Sequence, residues 1–248
     1  AYATNAAGTA YGADVSFTTL SASTVITTPF RNAGSGSGSG WANPGYITAD
    51  DSNYATDSIG MFGTSDYLNG TNYGFSIPSN ATINGIQVTI GRSASSSNRL
   101  EDDTVQLIRG GSRVGSNAAS STRWPTSITA ANYGGTSNLW GTTWTPADIN
   151  ASNFGVALRV DNTSFSSTTA SVDYMQIAVT YTVSLVDTTT AVDCAGGTPV
   201  VNYGDSITCI ATVTRGSGTS TPTGNVSWVT NGAGAFITSP CSLSGSGE

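Results

Sequence analysis

Short runs in which apolar residues alternate with Thr, Ser, Asn and Gln recur along the chain, separated by clusters of Gly, Asn, Ser and Pro. A period of two puts successive side chains on opposite faces of a strand, and the clusters mark turns. Candidate strands fall at 24–26, 73–77, 83–90, 104–109, 154–160 and 171–183. In 83–90, Ile86, Val88 and Ile90 alternate with Gln87 and Thr89, which predicts one dry and one wet face. In 171–183, Met175, Ile177, Val179 and Tyr181 share one face while Val172, Tyr174, Gln176 and Ala178 share the other. Both faces are partly apolar, as in a central strand of a sandwich. Residues 1–20 read as two strands around Asn5-Ala-Ala-Gly8, with Val15 and Phe17 alternating with Ser16 and Thr18. Helical periodicity is confined to one turn: Thr145 is placed as N-cap, Pro146 follows, and Asp148 sits where a carboxylate meets free backbone N–H groups. The fold class expected is all-β.

Three stretches resemble known modules. The N-x-x-G turn at Asn5–Gly8 followed by the V-x-F-T-T strand from Val15 is similar to the closing hairpin of fibronectin type III domains. Trp41-x-Asn-Pro44, Phe75-x-Ile-Pro78, Leu139-Trp-Gly141 and the final V-x-Y-x-x-I-x-V-T-Y run resemble a module of bacterial surface proteins and phage tail-associated proteins. Residues 185–248, with the Pro222-Thr-Gly224 turn, Val226 and Trp228, resemble the bacterial immunoglobulin-like domains repeated in adhesins. These resemblances imply a jelly-roll-like β-sandwich over 41–184, flanked by partial fibronectin III-like (1–20) and Ig-like (185–248) β elements. The tract Gly34-Ser-Gly-Ser-Gly-Ser-Gly40 makes 21–40 a linker or a loop into the sandwich. In the Ig-like resemblance, Cys194 and Cys209 match a disulfide between the first two strands. Cys241 matches a third cysteine whose partner would lie beyond Glu248, leaving it free or paired between subunits. The expectation is of a domain short of its last strands.

Composition narrows the chemistry. Charged residues are 9% of the chain, with 15 acids against 8 bases and no His, where an average soluble protein carries roughly 25%. All eight bases are Arg, so there is no Lys. Triads and dyads built on His, imidazole metal sites, lysine Schiff bases and Lys–Asn isopeptide cross-links are all excluded. An acidic chain with scattered Arg argues against nucleic acid as a partner. No apolar run is long enough to insert in a membrane as a helix. The opening residues lack a charged n-region and an apolar h-region, so any signal peptide is expected to have been removed already. Paired cysteines in a small β-rich segment suit a secreted or cell-surface setting.

Carboxylates are the remaining candidates for catalysis: Asp50, Asp51 and Asp57; Glu101, Asp102 and Asp103; Asp161 with Asp173. No spacing among them defines a catalytic pair, and short acidic runs are commonly solvated turns. The chain is expected not to be an enzyme and to need no cofactor, except that Asp50, Asp51 and Asp57 are a candidate structural calcium site. Trp41, Trp124 and Tyr133 are a candidate sugar-stacking platform, with Trp140, Trp144 and Tyr67 in the same domain; core packing is the competing role for each. Asn69, Asn80, Asn150, Asn162 and Asn225 head N-x-S/T triplets that a Ser/Thr-rich chain produces by chance.

The expected function is a structural subunit of an extracellular bacterial fibre, sheath or adhesin stalk. Copies of the chain would assemble head-to-tail, the N-terminal hairpin of one adding strands to the Ig-like segment of the next. The rival is a module of an adhesin or phage tail protein that binds surface glycans.

Overall fold

The computed structural model describes residues 2–5, 8–11, 17–18, 23–184, 188–194, 209–216, 225–227 and 241–242. These fall into two units: residues 23–183, and the strands that precede and follow them in sequence. In the outer unit β1 (Tyr2–Asn5) and β2 (Gly8–Tyr11) pair antiparallel, with Asn5 opposite Gly8. β3 (Phe17–Thr18) joins a separate sheet, described below.

Residues 23–183 begin with three strands, β4 (Ser23–Thr27), β5 (Arg31–Asn32) and β6 (Ser35–Ser37). A 3₁₀ turn (Pro44–Ile47), β7 (Ala55–Ile59), β8 (Leu68–Thr71), β9 (Ala81–Ala94), β10 (Leu100–Arg109), β11 (Ser112–Val114) and β12 (Thr129–Gly134) follow. Helix α1 (Pro146–Asn150), β13 (Gly155–Asn162) and β14 (Thr168–Ser184) complete the unit. One sheet runs β11-β10-β13-β8-β6, and the other β12-β9-β14-β4 with β5 and β7 also paired to β14. A single apolar cluster draws on both sheets: Leu68, Leu100, Val105 and Leu158 from one, and Ile86, Val88, Met175 and Ile177 from the other, all fully buried. The architecture is an all-β sandwich. At α1 the capping box is complete: Thr145 Oγ1 accepts from Asp148 N–H, and Asp148 Oδ2 accepts from Thr145 N–H at 2.9 Å.

The Gly-Ser tract is not a linker in the structure. It carries β6, an edge strand laid against β8. A Cβ at Gly36 would stand 2.0 Å from Pro44 O, and one at Gly34 2.4 Å from Asn72 O. Glycine is needed here for the approach of one backbone to another. The expected strand at 73–77 is a second correction. Tyr73, Phe75 and Ile77 are buried alternately, as predicted, but no ladder forms there. Instead Asn150 substitutes for a partner strand at Ile77, its Oδ1 accepting from Ile77 N–H at 2.7 Å and its amide donating to Ile77 O at 2.8 Å.

Register shifts modify the face assignments. β14 is irregular between Val172 and Tyr174. Ala170 and Val172 therefore point into the core together with Met175, Ile177 and Val179, although they differ in parity.

In the outer unit, β15 (Thr188–Cys194) lies between β16 (Cys209–Arg215) and β3. Thr18 pairs with Thr189 and Phe17 with Thr190, so segments from before and after the sandwich share one sheet. β17 (Asn225–Val226) pairs with β18 (Cys241–Ser242). Cys194 is directly opposite Cys209, and Cys209 is disulfide-bonded. Cross-strand neighbours have Cα atoms about 4.5–5.5 Å apart, inside the range a disulfide spans. Trp228 lies outside the described residues, as does the 222–224 turn.

Candidate functional site

Arg92 extends the series Ile86, Val88, Ile90 along β9, so its side chain points into the sandwich and is 4% exposed. An uncompensated guanidinium there would cost several kcal/mol. Its anion is Asp102 on β10, and a bulge makes that placement possible. Pairing with β13 slips between Asp102 and Thr104. Asp102 consequently faces inward along with Val105 and Leu107, residues of opposite parity.

Four donors converge on this carboxylate. Arg92 Nη1 and Trp124 Nε1 donate to Oδ1, the indole at 2.9 Å. Tyr133 OH donates to Oδ2 at 3.0 Å, and Ser120 N–H at 3.1 Å. The guanidinium carbon lies 4.9 Å from the Trp124 ring centre and 5.8 Å from that of Tyr133, so the charge is also held against two π faces. Burial, followed by the Asp102 charge, pushes the Tyr133 phenol above its ordinary pKa. Asp102 accepts four hydrogen bonds and Tyr133 keeps its proton, so the network holds a buried charge pair in place. One polar atom is left over: the buried Arg92 Nε has no partner. Arg92 and Tyr133 line a cleft of about 270 Å³ between β12 and the 120–125 segment, with Arg123 also among its lining residues.

The neighbouring acids are matched as well. Glu101 pairs with Arg123 at 3.2 Å and Asp103 with Arg159 at 3.7 Å. The run Glu101-Asp102-Asp103 is thus a row of three ion pairs, one of them buried. A short acidic run in sequence suggests a solvated turn instead. The available signal was Arg92, a cation at a core-facing position of an alternating strand.

The predicted sugar-stacking platform is overturned by burial. Trp41, Trp124 and Tyr133 are 4%, 1% and 6% exposed and present no free ring face. Trp41 Nε1 donates to Asp66 O, and Trp140 and Trp144 are buried with their indoles donating to Ile86 O and Leu139 O. Tyr67 is half-buried beneath Arg113, 3.8 Å from its ring centre.

Of the calcium candidates, Asp51 Oδ1 caps its own turn by accepting from Asn53 N–H at 3.0 Å. Asp57 sits on β7, its pKa raised by burial and then by Asp66. Among the described residues no group of three or more His, Cys, Asp or Glu gathers to hold a metal. Asp161 and Asp173 lie on strands of different sheets. Asn162 is fully buried and its amide donates to Ile59 O, Gly60 O and Ser166 O, which removes it as a glycan acceptor. Asn150 is committed to Ile77, Asn69 lies in β8, and Asn80 and Asn225 are exposed. The side chains of Cys194 and Cys241 lie outside what is described.

No protein-family profile matches the chain, and no curated protein matches it. Among solved structures the chain is similar to one titled as the capsid asymmetric unit of cyanophage Pam1, at 14% identity and a TM-score of 0.22, over 73% of this chain and 98% of that one.

Proposed function

We propose that this protein is a structural subunit of an extracellular fibre, sheath or adhesin stalk, assembled from copies of itself by strand exchange. The observation that carries the reading is the pairing of β3 with β15. It marks the N-terminal segment as a strand partner for the first strand of the Ig-like segment. Within one chain, the pairing adds β3 to the β15–β16 sheet. Made in the same register between chains, it is a head-to-tail contact that does not close on itself and so propagates. The disulfide at Cys209 suits an oxidising, extracellular setting. With no Lys for isopeptide cross-links, cohesion between subunits rests on strand pairing. A surface of low charge opposes close packing little. In this role the protein is not an enzyme and requires no cofactor.

Thr18 and Thr189 are directly opposite, so a Thr18→Cys/Thr189→Cys variant, oxidised at high protein concentration, reports which chains are paired. A ladder of disulfide-linked oligomers on a non-reducing gel, absent from wild type, is expected. Cross-linked monomer alone would overturn the reading.

A further inference from the structure

We propose that the cleft along β12 takes an extended peptide, which adds a strand to the open edge of the sandwich. Thr129, Ala130, Ala131, Asn132 and Tyr133 all line this cleft. Successive side chains of a strand point to opposite faces. Five consecutive residues therefore share one cleft only if it runs along their backbone. The other side of that backbone is paired with β9 through six residues without a register shift. The cleft follows the edge that β9 leaves open.

The phase of the hydrogen bonds fixes which groups this edge presents. Gly135 N–H donates to Ile86 O at 3.1 Å, in the register that continues the pairing of β12 with β9. Antiparallel pairs alternate between bonded and non-bonded, so Thr129, Ala131 and Tyr133 turn their N–H and C=O groups towards Arg92, Ile90 and Val88. Ala94, two beyond Arg92 on β9, agrees: its N–H donates to Pro125 O at 2.8 Å and not to Ala170, its neighbour on β14. The N–H and C=O groups of Ala130 and Asn132 consequently point outward, and no backbone group among the described residues pairs with them. Two donors and two acceptors, repeating roughly 6.8 Å apart, are what one more extended main chain pairs with.

The edge is also unprotected. Sheet edges are commonly blunted by shortness, Lys, Pro or a bulge. The edges at β11 and β6 are three residues long, whereas β12 has six, reads TAANYG and carries none of these devices. The opposite wall, with Thr122, Arg123 and Pro125, limits what can enter. At about 270 Å³ the cleft is below the ~300 Å³ at which ligand pockets begin, so it admits a few small residues of one strand and not the edge of a second sheet. Both cations that line it are already matched, Arg92 by Asp102 and Arg123 by Glu101. A neutral peptide therefore suits the cleft better than a charged one. Such a guest displaces no strand of the sandwich and is independent of the pairing between β3 and β15.

The test uses ¹H–¹⁵N spectra of the full chain with a pool of end-capped neutral heptapeptides of Ala, Ser, Thr and Val at millimolar concentration. Dose-dependent shifts and slower amide exchange are expected at Ala130 and Asn132. The amides of Ala131 and Tyr133, already bonded to β9, should change little. A fully N-methylated pool, which cannot donate, should leave all four signals in place. Ala130→Pro removes an outward N–H and no ladder bond, as proline on an edge strand can. It should weaken the response at Asn132 by about tenfold or more, with the Ala131 and Tyr133 amides still protected. Where proline disturbs the strand itself, the comparison of the two pools still decides. No response at Ala130 and Asn132, or an equal response to the N-methylated pool, would overturn the proposal. Protection that rises with protein concentration alone would give this edge to a second copy of the chain and overturn the assignment to a peptide guest.

Discussion

The sandwich and the outer unit are both built of antiparallel strands, but different forces hold them. In β13 at the centre of one sheet, Val156, Leu158 and Val160 are fully buried, and Leu158 faces Val105 on one side and Leu68 on the other in register. In β16, burial alternates between half-buried and exposed, and Ile210 is 61% exposed. No residue whose burial is described in the outer unit is fully buried. The sandwich therefore draws its stability from apolar area removed from water, at about 25 cal/mol per Å². The described outer strands have backbone pairing and a disulfide to rely on. Backbone pairing is indifferent to which chain supplies the strand, whereas a filled core is not. In the proposed assembly, any strand exchange would therefore involve the outer unit rather than the sandwich.

The most direct challenge is a matched pair of truncations. Leu158→Ala should cost about 2–5 kcal/mol, because a fully buried leucine leaves a cavity behind. Ile210→Ala should stay within about 0.5 kcal/mol, as for surface positions generally. Denaturant unfolding followed by tryptophan fluorescence reports mainly on the sandwich, which holds Trp41, Trp124, Trp140 and Trp144 of the five tryptophans, and hydrogen exchange of β15 and β16 reports the effect of Ile210→Ala. A cost at Ile210 as large as that at Leu158 would mean that the outer unit has a core of its own.

Reduction comes next in size. If the Cys209 disulfide closes the loop to Cys194, as the register suggests, its loss should cost roughly 3 kcal/mol for a loop of about 15 residues. The cost should be confined to one unit. Hydrogen exchange after reduction should show β15 and β16 losing protection while β9, β13 and β14 keep theirs. Equal loss across both units would make them one cooperative body.

What the sequence disclosed follows the same division. Long core strands were visible because one residue in two is apolar: 83–90 lies within β9, and 171–183 within β14. The helix was visible because its capping residues are local in sequence. The short edge strands were not. β6 is all Ser and Gly, and its place is set by how near Pro44 comes to Gly36. β12 reads TAANYG, with only Tyr133 buried, and is held by pairing with β9. The Arg92–Asp102 site was hidden by a bulge, since period-two reasoning puts Asp102 and Val105 on opposite faces. Each miss is a case where a distant backbone, rather than the local pattern, decides the structure.

The smallest effect concerns a strained charge within the sandwich itself. Asp173 sits at the irregularity in β14, 2% exposed, and accepts from Asp51 N–H at 3.4 Å. Burial raises its pKa above the ordinary carboxylate value, and the charges of Asp50 and Asp51 add to this. The backbone N–H groups of Asp51 and Ser52 pull the other way without reversing it. The folded chain therefore binds this proton more tightly than the unfolded chain does. The resulting stabilisation is fully present below the unfolded value of ~3.9 and is lost as pH rises through the higher folded value. Asp173→Asn keeps an oxygen to accept from Asp51 N–H and removes the ionisation. The variant should match wild type in acid and exceed it in stability from mildly acidic to neutral pH, in denaturant melts across that range. A variant less stable than wild type at neutral pH would show that the Asp173 charge helps to hold the 50–53 turn, and that the sandwich, like the outer unit, depends in part on polar contacts at its margin.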